Sequence, residues 1–102
     1  MKVVERMIQK WSPEAEAKMK ELAEKYGDLD AKWGFPPQRV YRCRYGSIPS
    51  EYTIAERVWE SMAAMEATYA RAQATPEWAE FWAVASKAAE SHRAELYVEV
   101  TE

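Results

Sequence analysis

The 102-residue chain has one cysteine, one histidine, three glycines and no asparagine. The lone Cys43 excludes an internal disulfide framework. One cysteine and one histidine far apart in the chain leave no zinc-ligand spacing, so no metal site is expected. Three glycines cannot build a glycine-rich phosphate loop, and the chain reads as having no cofactor. No apolar run approaches the roughly 18 residues of a membrane span. The opening "MKVVERMIQK" carries charges where a signal peptide needs an apolar stretch. The expectation is a cytoplasmic protein with no membrane partner.

Basic charge is also in short supply. Fourteen Lys/Arg stand against 17 Asp/Glu, for a net charge of −3, a poor match to nucleic acid, which needs a basic stripe. The imbalance sits in the second half, since residues 1–51 carry ten basic and eight acidic side chains and residues 52–102 carry four and nine. The arginines of "QRVYRCRY" (Arg39, Arg42 and Arg44) are therefore expected to meet acidic groups of the second half. Cys43, between two of them, reads as a small buried strand residue.

Aromatics are plentiful, with five Trp and six Tyr. A chain of this length fits one domain spanning 1–102, and it buries only a modest core alone, so association would help it. "KVVERMIQKW" alternates as a strand. Ser12-Pro13-Glu14 is a cap, proline and acid signal that starts a helix ending at Gly27. "DLDAKWGFPPQ" reads as a connection carrying Trp33 and Phe35, and "QRVYRCRY" and "YTIAERVWE" read as strands separated by the turn-rich "GSIPSE". Pairing them puts Arg42 opposite Glu56 and Val40 opposite Val58, which matches charges and apolar groups. Ser61 caps a helix, Thr75-Pro76-Glu77 re-starts it, and it runs to about Ser91. "RAELYVEV" closes the chain as a strand.

This order, βαββαβ, is the α+β ferredoxin-like topology, with a four-stranded antiparallel sheet and both helices on one face. The other face should then be polar in a stable monomer. Yet Ile54 and Val58 alternate with Ala55 and Trp59, so both faces carry apolar side chains. A two-fold homodimer joined sheet to sheet is the expected solution, with Arg6, Arg42, Glu56 and Arg57 as paired charges in or around the junction.

The βαββαβ order and the run "RVWESMAAMEATYARAQATPEW" resemble dimeric α+β barrel proteins. Trp59-Glu60-Ser61 at a strand end and Pro76-Glu77-Trp78 at a helix re-start are similar to the NIPSNAP-like branch, itself near the antibiotic-biosynthesis monooxygenases. The topology covers the whole chain and the motifs about residues 57–82. The resemblance implies a cavity between sheet and helices, lined by Trp59, Trp78, Phe81 and Trp82 with Trp33 or Phe35 above, binding a small apolar or aromatic molecule. If the protein is an enzyme, the resemblance implies a cofactor-independent monooxygenase. His92, whose ordinary pKa lies near neutrality, and Arg57 are its candidate catalytic residues. Haem degradation, which relies on an Asn in this superfamily, is disfavoured. Gln9 would substitute only if it faced the cavity. The alternative is a non-catalytic dimerisation or binding module whose aromatics are all structural. An open cavity touching His92, Arg57 or a tyrosine hydroxyl favours the first reading, and a volume filled by Trp side chains favours the second.

Overall fold

Three side chains start helices by accepting an otherwise unpaired backbone N–H. Ser12 Oγ accepts from Ala15 at 3.0 Å, Ser61 Oγ from Ala64 at 3.0 Å, and Asp28 Oδ1 from Ala31 at 3.2 Å. In a computed structural model, which describes residues 1–88 and 93–100, the elements follow from these starts. They are β1 (Val3–Gln9), α1 (Pro13–Tyr26), α2 (Leu29–Trp33), β2 (Arg39–Tyr41), β3 (Thr53–Trp59), α3 (Met62–Gln73), α4 (Glu77–Ala88) and β4 (Arg93–Val98). Gly27 ends α1 at φ 81°, a left-handed conformation that costs glycine little, and its N–H donates to Ala23 O at 2.8 Å.

The four strands form one antiparallel sheet in the order β2-β3-β1-β4, the ferredoxin-like arrangement. Because strand side chains alternate, register assigns every residue to a face. Val3 and Trp59 pack on Met65 of α3, so their parity faces the helices. With them go Glu5, Met7 and Gln9 of β1, and Thr53, Ala55 and Arg57 of β3. The other face presents three rows. Val4 pairs with Val58 and Tyr97; Arg6 pairs with Glu56 and Glu95, and Glu56 with Arg39; Ile8 pairs with Ile54 and Arg93, and Ile54 with Tyr41.

Two features of the sequence reading are corrected. The β2–β3 register places Arg39, not Arg42, opposite Glu56, and Val40 opposite Ala55 rather than Val58. β2 ends at Tyr41, so Cys43 lies in the following loop, half-buried, with Sγ 3.2 Å from Tyr45 O. Half of the connection before β2 is the short helix α2, closed by Gly34. At the α3–α4 break the Thr75 hydroxyl donates to Ala72 O at 2.7 Å and accepts from Trp33 Nε1 at 3.0 Å. Thr75 thereby pins α2 to the joint between the two longer helices.

The core is concentrated beneath α2 and α3. One cluster comprises Val3, Trp59 and Met65; a second comprises Leu29, Trp33 and Ala72, with Tyr26, Phe35, Trp78 and Phe81 against it. Ion pairs add cross-links on the outer side, Lys25 to Glu80 and Lys32 to Glu77, both at 3.1 Å. Glu77 and Glu80 therefore tie α4 to α1 and α2 rather than forming a merely solvated face. Exposed pairs of this kind contribute at most about 1 kcal/mol each, so aromatic packing dominates.

Candidate functional site

Where the core stops, the space between sheet and helices opens into a cleft of about 770 Å³. Its floor is the helix-facing side of the sheet: Glu5, Met7, Gln9, Thr53, Ala55 and Arg57. Its aromatic wall is Phe35, Tyr69, Trp78, Phe81 and Trp82. Trp78 and Trp82 stack nearly parallel, with centroids 5.8 Å apart at 8°, because they lie four residues apart on one face of α4. Trp82 is 51% exposed although it lines the cleft, which places its indole partly in water.

Two of the tryptophans expected in the lining stand behind it. Trp33 is 4% exposed and meets Phe81, Trp78 and Phe35 at 5.3, 5.5 and 5.7 Å between centroids. Trp59 is 3% exposed and packs on Phe35 at 5.7 Å and Tyr69 at 5.8 Å. They support the wall but are not part of its surface. Their position on core-facing sides of a short helix and of a central strand explains this, since neighbouring aromatics cover them on the cleft side.

A buried polar cluster closes one end. Glu5 is 8% exposed; its Oε1 accepts from Trp59 Nε1 at 3.1 Å and its Oε2 from the Tyr69 hydroxyl at 2.6 Å. Arg57 sits opposite Glu5 in register but donates to Asp30 instead, Nη2 to Oδ2 at 2.8 Å. Its guanidinium carbon lies 4.8 Å from the Phe35 ring centroid, a cation–π contact. The Arg57 side chain is 6% exposed, and among the described residues no acceptor meets its buried Nε and Nη1. Leaving such donors unmade costs on the order of 1–3 kcal/mol each. Arg57 was expected near the same junction as Arg6 and Glu56. The sheet separates them instead: Arg57 faces the helices, while Arg6 and Glu56 pair at 2.6 Å on the other side. Arg42 lies outside the strands altogether.

Burial raises the Asp30 pKa above its ordinary value; Arg57 opposes that shift and Asp28 reinforces it. Tyr69 is held far above the usual 10.0 by burial first, then by its hydrogen bond to Glu5 and the Glu5 charge. The phenol is therefore a hydrogen-bond donor, not a base. Because the folded protein keeps this proton after the unfolded chain has lost it, stability falls as pH rises above about 10. In Tyr69→Phe that part of the alkaline decline should vanish. Urea unfolding of both proteins between pH 8 and 11 checks it, and parallel pH profiles would contradict the assignment.

Sequence reading named Arg57 but missed Glu5, Tyr69 and Asp30. One signal was available for Glu5: it interrupts Val3 and Met7 on the parity that also carries Trp59, an acid where the strand should be apolar. Gln9 does line the cleft, its Oε1 accepting from Trp11 Nε1 at 3.0 Å. His92 lies outside the described residues. Among the described residues no group of His, Cys, Asp or Glu is placed to hold a metal ion, and no helix is long and apolar enough to cross a membrane.

This is a ferredoxin-like fold with an aromatic cleft between sheet and helices. Among solved structures it is similar to a NIPSNAP family protein from Agrobacterium tumefaciens, with TM-score 0.69, 16% identity and coverage of 98% of this chain and 94% of that one. An uncharacterised NIPSNAP-like domain protein from Burkholderia xenovorans gives TM-score 0.67 at 15% identity, covering 98% of this chain and 86% of that one. SnoaB, a cofactor-independent oxygenase from Streptomyces nogalater, gives 0.53 at 20%, covering 99% and 93%. At these identities the likeness is one of fold. Sequence comparison finds no matching family model and no matching curated protein.

Proposed function

We propose that this protein binds a small apolar or aromatic molecule in the cleft between its sheet and helices. The observation that carries the reading is the open volume itself. About 770 Å³ lies within the usual range for ligand pockets. Its walls are aromatic, and it touches Arg57 and the ring of Tyr69 rather than being filled by Trp side chains. The alternative, a binding or dimerisation module with purely structural aromatics, explains Trp33 and Trp59 but leaves the half-exposed Trp82 without a purpose.

The protein acts as a homodimer in this reading. The sheet face away from the helices leaves Val58, Tyr41 and Tyr97 43–50% exposed around a central row of alternating charge, Glu95–Arg6–Glu56–Arg39. A second copy turned by a two-fold axis can meet that row with opposite charges while covering the apolar rows beside it.

The fold shared with a cofactor-independent oxygenase supports an enzymatic version of the same site.

Saturable quenching of tryptophan fluorescence by hydrophobic aromatic compounds tests the binding claim. Trp82→Ala should weaken such binding about two- to tenfold, the share of one aromatic contact. Unchanged affinity would remove Trp82 from the site, and no saturable quenching by any such compound would remove the site itself.

A further inference from the structure

The apolar stripe of α1 is only partly covered. Met19, Leu22 and Ala23 follow one another at helical spacing on one face, with Met19 and Leu22 half-buried and Ala23 exposed. Gly27 turns the chain out of α1 at φ 81°, and Asp28 caps α2 directly after it. The chain leaves α1 at once, so a groove of about 360 Å³ stays open between α1 and α2. A Cβ at Gly27 would meet nothing within 4 Å. Leu22, Ala23 and Leu29 line this groove, and so do Met19, Asp30 and Phe81, which also line the cleft between sheet and helices. The two spaces thus share a border of three side chains. Phe81 is set against Trp33, with ring centroids 5.3 Å apart, and Asp30 is held by Arg57 at 2.8 Å. Met19, unbranched and adaptable, is the movable member.

Resting on the binding reading above, we infer that the ligand is elongated: a ring in the cleft carries an unbranched, uncharged alkyl chain that passes Met19 and Phe81 and lies in the α1–α2 groove. Continuity of the groove with the cleft selects this occupant, because a chain that starts on the ring reaches Leu22 and Ala23 without a second binding event. A compact ring compound leaves those side chains facing water, whereas methylenes laid on them remove apolar surface from it. A flexible chain can bend past the Met19 thioether; a fused ring system cannot. The two acids of the groove are already engaged, Asp28 Oδ1 by Ala31 N at 3.2 Å and Asp30 Oδ2 by Arg57 Nη2. No lysine or arginine lines it, so a chain ending in a carboxylate would meet two like charges and no counter-ion.

A homologous series tests the chain: 4-ethyl-, 4-butyl-, 4-hexyl- and 4-octylphenol, titrated calorimetrically into the full chain at pH 7, where the phenols are neutral. Affinity should rise about two- to fourfold per added methylene as far as octyl, fourfold being the value of a fully buried CH₂. In Ala23→Trp the added indole fills the groove from an exposed helix position. Ethylphenol should bind that variant as it binds the parent, and octylphenol should bind it at least about tenfold more weakly. Octylphenol binding both proteins equally would place the chain elsewhere and overturn the inference. A rise that stops at butyl in the parent would overturn it too, keeping the cleft and leaving the groove to another occupant. Failure of all four to bind would remove the cleft reading along with this one. Leu22 lines the groove and not the cleft, which gives a check that needs no variant. Its methyl resonances should shift with octylphenol and stay in place with ethylphenol; equal response to both would contradict the placement.

Discussion

Trp59→Ala should destabilise the protein by about 3–5 kcal/mol, while Trp82→Ala costs under about 1 kcal/mol. Trp59 is 3% exposed, seated among Val3, Met65, Phe35 and Tyr69, so truncation leaves a cavity that these neighbours can only partly fill. It also removes the donor to one oxygen of buried Glu5. A small domain has only about 5–15 kcal/mol in total, and each kilocalorie is worth roughly 4–8 °C in Tm at this size. The expected fall is therefore roughly 12–40 °C. Trp59→Phe keeps most of the packing and loses the N–H, so it should fall between the two, at about 1–3 kcal/mol. Trp82, half in water, has little burial to lose. Thermal unfolding of the three variants measures all of this. Equal effects at 59 and 82 would mean that core and wall are not distinct, and the division of the aromatics proposed above would collapse.

Val58→Asp should convert a dimer into a monomer with little effect on the fold of each chain. Light scattering at micromolar concentration should report about twice the 11.8 kDa chain mass for the parent and the single-chain mass for the variant. Val58 is 50% exposed and stands between Val4 on its neighbour strand and open space, so an aspartate there can be hydrated in the lone protomer. Across a two-fold sheet-to-sheet junction it would be buried near its own copy and near Glu56, and an unpaired charge in such an interface costs several kcal/mol. Because mass action links folding to association, the parent's Tm should rise with protein concentration and the variant's should not. A parent that runs as a monomer at tens of micromolar would remove the homodimer from the reading of function.

The register of β2 shows where sequence reasoning lost its grip. "QRVYRCRY" offers arginines at 39, 42 and 44, and each can be slid opposite Glu56 with some apolar residue falling beside another. Pairing through Arg39 shifts the strand by three residues from the pairing through Arg42. An odd shift exchanges the two faces, so Val40 moves to the cleft side and lines it. A tight two-residue turn would have pinned the register; the long link from Arg42 to Tyr52 does not. The same limit applied to Arg57. Its parity with Trp59 was visible, but whether that parity faced helices or a second sheet depended on Met65 lying above Val3, a contact between residues 62 positions apart.

Local chemistry was enough for the element order, the helix starts at Ser12 and Ser61, the stop at Gly27 and the break before Glu77, because caps, prolines and alternation act within a few residues along the chain. It was enough, too, for the ferredoxin-like topology that follows from that order. Tertiary structure decided which tryptophans are core and which are wall, and it joined Glu5, Asp30, Arg57 and Tyr69 from four separate elements into one polar end. Burial and hydrogen-bond partners are properties of neighbours in space, and the spacing of residues along a strand or helix carries no record of what the fold will lay against them.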